Sequence, residues 1–282
     1  MFIDVFFDAV KDSLTVFPFI FLVYVLMEML ENARGKNRIE KALSGPLAPL
    51  FASLSGVVPE CGFSVGIAKL FDNGFIKAGT LIAAFLAASD EGIIILMGGS
   101  DFRAAGIVAV WKIVFACFFG CVINLLPLKL GEDHVCPNKN ECIECGERHE
   151  SGFDLFFVHP FIHAAKTFIY LLGVNMIFGL IIAFIGEDKI AGFITGGAAI
   201  SPLLTAIVGL VPNCASSIII AEGYLGGFIG MPALISGLGA NAGMGLLILF
   251  KRGKKIKYAF AAAGLLVICA VVMGYAFMLT EI

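Results

Sequence analysis

The sequence predicts an all-α polytopic membrane protein made of two inverted-topology repeats, each with five hydrophobic segments. Three observations predict this fold: the apolar composition, a sequence repeat at a fixed offset, and the distribution of Lys and Arg between loops. Hydrophobic residues make up 59% and charged residues 15% of the 282 positions. A soluble domain carries charge at about a quarter of its positions, so this chain has too little charge to cover its own surface in water.

Several apolar stretches, among them 13–30, 106–128 and 258–279, are long enough to cross a bilayer as helices. The N-terminal sequence has neither a basic start nor a small-residue cleavage site, so we expect no removable signal peptide. We divide the chain into a first membrane repeat over 1–128, a Cys/His loop over 129–155 and a second membrane repeat over 156–282.

The repeat is visible without gaps, because residues 56–96 align with residues 209–249 at an offset of 153. Apolar bias alone can match Leu with Ile, but it does not readily bring Pro, Cys, Ser and Gly into register. The sequence therefore predicts a duplication. The informative matches are Gly56 with Gly209, Pro59 with Pro212, Cys61 with Cys214, Ser64 with Ser217, and Gly92 with Gly245.

Each half contains five hydrophobic segments. In the first half they cover 13–33, 42–58, 60–72, 74–98 and 105–128, and in the second half 162–185, 190–211, 213–225, 228–250 and 256–279. The third segment of each half is too short to cross a bilayer comfortably. The second and third segments are therefore either two short helices or a re-entrant hairpin that is broken or turned at the VP-x-C motif.

The loop charges predict the orientation. Loops 34–41 and 251–257 carry four and five Lys or Arg residues, whereas their counterparts 186–190 and 99–103 carry one each. Cytoplasmic loops are enriched in these residues. With ten segments, both assignments hold only if the halves are inverted in a cell membrane, with both termini outside and the central loop in the cytoplasm. Inverted repeats with a site near the midplane are typical of secondary transporters.

The two VP-x-C motifs predict a polar chamber. Proline is favoured in the first turn of a helix, so Pro59 and Pro212 are expected to start helices. A helix N-terminus exposes N–H groups that must find a partner inside lipid, and inversion would bring the two starts together. Cys61 and Cys214 are candidate ligands, although a buried Cys is often only a small apolar residue. We predict a chamber lined by Glu60, Cys61, Ser64, Asn213, Cys214 and Ser217.

A second polar group, Asp90 and Glu91, lies within the fourth segment. Intramembrane acids are energetically unfavourable and usually functional, and adjacent carboxylates in a low dielectric do not both ionise readily. The pair is therefore a candidate for proton-coupled cation binding, unless both residues lie nearer the outer water. The repeat has Gly243 and Met244 at these positions with Asn241 close by, so the predicted site is asymmetric.

The central loop has the pattern H-x-C-x5-C-x2-C-x3-H, formed by His134, Cys136, Cys142, Cys145 and His149. The C-x2-C element with flanking His residues is a metal-ligand spacing. Thiols stay reduced in the cytoplasm, which disfavours disulfides there. We therefore predict a small zinc-type or soft-metal site, and its role in structure, sensing or delivery stays open.

The motifs VPECGFS at 58–64, GLVPNCASS at 209–217 and GANAGMGLLILF at 239–250, with the Cys/His loop between two five-segment halves, resemble a family of ten-helix heavy-metal exporters. Members of that family are named arsenic efflux proteins or manganese transporters. The resemblance covers nearly the whole chain. It implies an exporter of a metal or metalloid.

The leading functional prediction is a secondary active transporter that exports a divalent transition metal, with manganese favoured. Carboxylates such as Glu60, Asp90 and Glu91 suit hard cations, whereas thiols suit softer ions. The sequence contains no Walker-type loop, so we predict no nucleotide and a drive by protons or membrane potential.

Two alternatives remain. Paired helix N-termini suit an anion, which favours arsenite, another oxyanion, or an anionic organic or lipid substrate. A membrane enzyme with Cys61 as its thiol nucleophile would need a nearby base, and no His lies in the Cys61 or Cys214 segments. We therefore expect no enzyme. The predicted partners are the lipid bilayer and the transported ion. The chain has no basic patch typical of nucleic-acid binding, and a homo-oligomer is left open.

Overall fold

A computed structural model describes residues 45, 47–56, 61–72, 74–89, 91–99, 101–126, 159–185, 197, 199–251 and 256–280, together with seven positions between Val10 and Val25. The first half contains α1 (Ala48–Ser55), α2 (Cys61–Asp72), α3 (Ala78–Ala87), α4 (Glu91–Gly98) and α5 (Phe102–Leu125). The second half contains α6 (His159–Ile185), α7 (Ser201–Gly209), α8 (Cys214–Leu225), α9 (Met231–Ala240), α10 (Gly245–Lys251) and α11 (Ile256–Thr280).

Three helical stretches of the described chain are long and apolar enough to cross a membrane. They are α5, the stretch Met231–Lys251 that contains α9 and α10, and α11. The α9–α10 stretch is almost entirely enclosed by protein, whereas α5 and α11 leave more than half of their apolar windows uncovered. These stretches are in keeping with the predicted class of a helical membrane protein. Of the three, the α9–α10 stretch is the most enclosed by protein.

The helix boundaries recur at the offset of the sequence repeat. Helices α8 and α9 begin and end 153 residues after α2 and α3. The correspondence also extends beyond the aligned sequence, because α1 and α7 both carry a proline in their first turn, Pro49 and Pro202. These prolines have the position that favours helix initiation.

The predicted fourth segments, 74–98 and 228–250, are not continuous helices. In the first half the chain leaves the helical conformation at Ala88 (ψ 126°) and a new helix starts at Glu91. In the second half it leaves at Asn241 (ψ 97°), whose Oδ1 accepts a hydrogen bond from Gly243 N at 2.9 Å. Gly243 has φ 56°, a left-handed conformation that a glycine adopts without strain.

The prediction that Pro212 starts a helix is wrong. Helix α8 starts at Cys214, and Asn213 is its N-cap, with Oδ1 accepting from Ala215 N at 2.9 Å. An Asn side chain satisfies one of the free N–H groups of a helix start, which a proline ring does not. Pro212 therefore lies before the cap. Pro59 lies outside the described residues.

The second and third segments of each half are two short helices. Helices α1, α2, α7 and α8 have 8 to 12 residues, which gives lengths of about 12–18 Å. A hydrocarbon layer is about 30 Å thick. None of these four helices is long enough to cross such a layer alone.

The fifth segment of the first half starts and ends earlier than the predicted 105–128. Asp101 caps α5, because its Oδ1 accepts from Ala104 N at 3.0 Å. The helix ends at Leu125, and Leu126 is extended in front of Pro127. The residue before a proline disfavours the helical conformation, so this proline accounts for the early end.

The buried apolar residues form two clusters. The first apolar cluster contains residues of α2, α3 and α10, together with Ala116 and Ile123 of α5 and residues 259–270 of α11. The second apolar cluster contains residues of α4, α8 and α9, together with Ala105 and Val108 of α5 and Met273 and Phe277 of α11. Along the sequence, α5 passes the second cluster and then the first, whereas α11 passes them in the opposite order.

The two halves exchange their short helices. Helix α2 packs on α10 of the other half, and α8 packs on α4. Within each half, the long helix packs on the helix before the break: α5 on α3, and α11 on α9. Every one of these pairings has its counterpart in the other half. The two breaks, one between α3 and α4 and one between α9 and α10, therefore lie near the boundary between the two apolar clusters.

Candidate functional site

Five buried polar side chains lie where the two apolar clusters meet, next to the helix breaks. We call them the polar layer. Its members are Ser64, Ser89, Lys112, Ser217 and Asn241. Buried polar groups need hydrogen-bond partners, and in this layer the backbone groups at helix breaks take part. Three members were predicted from the sequence as site residues, namely Ser64, Ser217 and Asn241.

The two breaks of the first half touch each other. Ser89, just after α3, donates its backbone N–H to the carbonyl of Gly56, just after α1, at 3.0 Å. A Cβ on Gly56 would lie 2.9 Å from the Cβ of Ala87 and 3.1 Å from its carbonyl carbon. Only a glycine permits this approach. Ser89 is thus held beside Gly56, the residue that ends α1.

In the second half, the break after α9 is in contact with the first VP-x-C helix. Ser64 of α2 accepts a hydrogen bond on Oγ from Gly245 N at 3.3 Å. Asn241 forms the turn that precedes Gly245, through its bond from Gly243 N. Two predicted site residues, Ser64 and Asn241, are therefore brought to the same turn, although 177 positions separate them in the chain.

The equivalent contact joins α8 to α4. A Cβ on Gly92 would meet Ser217 at 3.1 Å from its carbonyl oxygen and 3.2 Å from its Cβ. Ser217 is the counterpart of Ser64, and Gly92 is the counterpart of Gly245, so the two contacts are reciprocal. Ser217 is thereby brought against the first turn of α4, which begins at Glu91. The side chain of Glu91 lies outside the described residues.

Asn213 is buried, but its side-chain oxygen is committed to its own helix as the N-cap of α8. Its carbonyl oxygen accepts from Ser216 Oγ at 2.7 Å, and that hydroxyl also reaches Val211 O at 3.1 Å. Asn213 and Ser216 therefore shape the start of α8. Ser216 was not predicted, because its neighbour Ser217 is the one that matches Ser64 in the repeat.

Cys61 and Cys214 are the first residues of α2 and α8. Their side chains, together with all of Glu60 and Asp90, lie outside the described residues. The predicted chamber at the paired helix starts therefore stays a prediction. The structure does show that α2 packs on α10 and that α8 packs on α4. Each of these helices therefore contacts the helix that follows the break in the opposite half.

Lys112 was missed by the sequence reasoning. It lies in the middle of α5, its side chain is only 1% exposed, and its Nζ donates to the carbonyls of Ala88 and Leu238, the latter at 2.9 Å. Ala88 belongs to the break of the first half, and Leu238 to the last turn of α9. The signal was present, because a lysine inside a 24-residue apolar helix is unfavourable unless it has a role.

Two further polar side chains of α5 were also missed. Trp111 donates its ring N–H to Met273 O of α11 at 3.1 Å. Asn124 accepts from Gly79 N on Oδ1 at 3.0 Å and donates from Nδ2 to Thr80 Oγ at 3.4 Å. The first contact ties α5 to the second half. The second satisfies an N–H in the first turn of α3, which has no side-chain cap of its own.

The five predicted metal ligands of the central loop, His134, Cys136, Cys142, Cys145 and His149, lie outside the described residues, so their site stays a prediction. In the part of the chain that the structure does describe, no three His, Cys, Asp or Glu side chains are grouped to hold a metal ion. A comparison of the chain with protein-family models, curated proteins and solved structures finds no match. The functional argument therefore depends on the polar layer and on the helix breaks around it.

Proposed function

We propose that this protein is a secondary active transporter made of two inverted halves, and that it exports a divalent transition metal, with manganese favoured. Two observations support the inverted arrangement. The halves exchange short helices reciprocally, α2 with α10 and α8 with α4. The long helices α5 and α11 pass the two apolar clusters in opposite order, as expected if equivalent helices run in opposite directions.

The observation that carries the proposal is the meeting of helix breaks in the buried polar layer. Inside a membrane, backbone that leaves a helix is tolerated only where protein, water or a ligand satisfies its polar groups. Transporters with inverted repeats use such discontinuous helices to bind cargo near the midplane. Here, the break after α3 contacts the chain after α1, and the break after α9 contacts α2.

The proposed cargo ligands are the acids next to these breaks. Glu60 immediately precedes α2, Asp90 lies between α3 and α4, and Glu91 starts α4. Carboxylate oxygens suit manganese and other hard divalent cations. Cys61 and Cys214 add softer ligands at the two helix starts. We propose that export is coupled to protons or to the membrane potential. We also propose that the His and Cys residues of the loop from His134 to His149 form a small zinc-type metal site.

One observation favours a second candidate, export of arsenite, another oxyanion, or an anionic organic or lipid substrate. The polar layer contains the buried Lys112, whose positive charge opposes a divalent cation and would attract an anion. The starts of α2 and α8 add two helix N-termini, which are sites of the kind that bind anions. This candidate predicts that thiols or N–H groups, and not carboxylates, hold the cargo.

The test is Mn²⁺ flux into proteoliposomes that contain the purified full chain, with and without a pH gradient, beside a panel that includes Zn²⁺ and arsenite. Glu60→Gln and Asp90→Asn are compared with Cys61→Ser. Glu222→Gln is the matched control, because Glu222 is an exposed acid on α8. We expect each acid change to raise the Mn²⁺ concentration that gives half-maximal flux by about tenfold or more, which corresponds to about 1.4 kcal/mol. The control should leave this concentration unchanged.

Mn²⁺ flux that survives both acid changes would reject the carboxylate site. Loss of arsenite flux in Cys61→Ser, together with unchanged arsenite flux in the acid variants, would instead support the second candidate. Absence of flux for every ion of the panel, from protein that is folded by circular dichroism, would contradict the transport proposal itself.

A further inference from the structure

We propose that Lys112 is a tethered monovalent cation, whose ammonium group fills a cation site made by backbone carbonyls at the ends of two broken helices, one from each half. In this role it takes the place that a diffusible coupling ion such as Na⁺ has in other transporters with broken helices. The coupling role rests on the proposed function, whereas the cation site rests on the geometry around Lys112 alone.

The two acceptors identify the site as one for a cation. Ala88 directly follows α3, and Leu238 is in the last turn of α9. The last carbonyls of a helix have no N–H partner within that helix, and they carry the negative end of the helix dipole. Both carbonyls accept from Lys112 Nζ. Carbonyls of unwound chain and of half-helix C-terminal ends are the groups that coordinate Na⁺ in transporters with broken helices.

The depth of the residue excludes an ordinary surface role for its charge. Lys112 is ten positions into α5, about 15 Å from the start of the helix. Its neighbours one turn away on the same face, Val108 and Ala116, are fully buried in the second and first apolar clusters. The side chain is itself buried and ends on two carbonyls deep in the protein, so it does not extend along the surface to water as long cationic side chains usually do.

Among the residues that the structure describes, the repeat does not provide a second lysine at the equivalent position. The position equivalent to Lys112 is Leu265 of α11, which packs against the first apolar cluster. A single covalently attached charge therefore joins the break of the first half to the end of α9 in the second half. A tethered ammonium cannot leave, so the proposal predicts that the protein needs no external monovalent cation for stability or for flux.

Substitutions that differ in volume separate this role from simple packing. Lys112→Ala removes the charge and leaves a cavity lined by the two carbonyls, into which Na⁺, K⁺ or methylammonium fits. Lys112→Met removes the charge but keeps most of the volume, so there is no room for a cation. Leu265→Ala is the matched control, because it shortens a partly buried side chain at the equivalent position of α11 and leaves the Lys112 ammonium in place on the carbonyls of Ala88 and Leu238.

The experiment follows thermal unfolding of the purified full chain in detergent by circular dichroism, in choline, Na⁺, K⁺ and methylammonium chloride at equal ionic strength. We expect the wild-type midpoint to be the same in all four salts. Lys112→Ala and Lys112→Met should both unfold about 5 °C or more below the wild type in choline. Na⁺ or methylammonium should restore part of the loss, in a saturable manner, for Lys112→Ala only.

A wild-type midpoint that rises saturably with Na⁺ would overturn the proposal, as would a Lys112→Ala protein that shows no more cation dependence than Leu265→Ala. If Lys112→Ala does not yield folded protein, Lys112→Met and Lys112→Arg decide. A Lys112→Met midpoint equal to that of the wild type overturns the proposal, and a lowered midpoint that Lys112→Arg largely regains upholds it.

The same samples distinguish this inference from the proposed transport function. Unfolding in different salts requires no cargo, so the cation rescue of Lys112→Ala stands or falls without any flux. Wild-type Mn²⁺ flux in Na⁺-free buffer tests the coupling role, and we expect it to equal the flux in Na⁺. Flux with a clear Na⁺ requirement rejects the coupling role of Lys112, whereas absence of flux with intact rescue rejects only the transport proposal.

Discussion

The first and second halves of the protein differ far less in backbone than in side-chain chemistry. Helices α2 and α8 end in the same turn, in which Gly74 N donates to Phe71 O and Gly227 N donates to Tyr224 O, both at 2.9 Å. The two glycines have φ values of 78° and 75°. The backbone of the repeat is therefore reproduced down to single hydrogen bonds.

The polar side chains, in contrast, differ between the two halves. The buried Lys112 and the half-buried Trp111 and Asn124 of the first half have Leu265, Gly264 and Phe277 as their respective counterparts. Likewise, Asp90 and Glu91 correspond to Gly243 and Met244. The repeated backbone therefore forms the helix breaks twice, whereas the charged groups that would act on a cargo are supplied mainly by one half.

The largest effect on stability is expected at the contacts between the exchanged helices, α10 on α2 and α4 on α8. A Cβ on Gly245 would collide with the backbone carbonyl of Ser64, whereas a Cβ on Gly92 would first meet the movable end of Leu238 at 2.8 Å. Overpacking of this kind typically destabilises by 1–3 kcal/mol. We therefore expect Gly245→Ala to lower the free energy of unfolding by about 3 kcal/mol and Gly92→Ala by about 1 kcal/mol.

Chemical unfolding in detergent measures both changes. Gly106→Ala is the matched control, because Gly106 is a helical glycine with nothing within 4 Å of the added Cβ; it should be neutral or stabilise by up to about 1 kcal/mol. Equal losses for Gly245→Ala and Gly92→Ala would mean that the two exchange contacts are equally tight and that the predicted asymmetry is wrong.

A smaller effect is expected at Asn124, a polar residue without a polar counterpart. Asn124→Leu removes the acceptor of Gly79 N in the first turn of α3. A buried donor without a partner costs about 1–3 kcal/mol, so we expect a loss of about 2 kcal/mol. Thr80→Val removes only the longer 3.4 Å contact and should have less than half of that effect. A loss in Thr80→Val as large as that in Asn124→Leu would contradict the assigned role of the Gly79 bond.

The sequence was sufficient for features that depend on local composition or on the repeat. Apolar length predicted α5, α6 and α11 to within a few residues, because a membrane helix must be apolar over its whole span. The in-register Pro, Cys and Gly residues predicted helices α2 and α8 as short segments. Ser64 and Asn241, which lie at one turn of the structure, were also selected as site residues from the sequence.

What the sequence did not predict depends on tertiary partners. The break after α3 has no proline; it is held by the bond from Ser89 N to Gly56 O, which no local pattern reveals. Lys112 was visible as a lysine in an apolar segment, but its acceptors Ala88 and Leu238 are 24 and 126 residues away. The position of Pro212 was misjudged because Asn213 competes for the start of α8, and a capping side chain prevails over the preference of proline for the first turn.

A third prediction compares Asn213 with its counterpart Glu60. Asn213→Ala removes the cap of α8 and should destabilise by about 1 kcal/mol, whereas Asn213→Ser should retain most of the stability. Glutamate is not among the preferred N-cap residues. If Glu60 serves the cargo, Glu60→Asn should therefore stabilise the protein by up to about 1 kcal/mol, while it raises the Mn²⁺ concentration for half-maximal flux by about tenfold or more, as Glu60→Gln does. Glu60→Asn with full flux and altered stability would assign Glu60 to the structure alone.

The smallest effect tests the backbone equivalence directly. Gly74→Ala and Gly227→Ala each place a Cβ in the left-handed conformation, which costs roughly 1–2 kcal/mol and is partly offset by the lower entropy of the unfolded chain. Nothing lies within 4 Å of a Cβ on Gly227, so its effect is conformational and not steric. We expect a loss of about 1 kcal/mol for Gly227→Ala and a loss within experimental error of it for Gly74→Ala. Because the φ values differ by only a few degrees, unequal losses in chemical unfolding would show that the neighbours of the two turns, the buried Phe75 and the exposed Phe228, contribute as much as the shared backbone does.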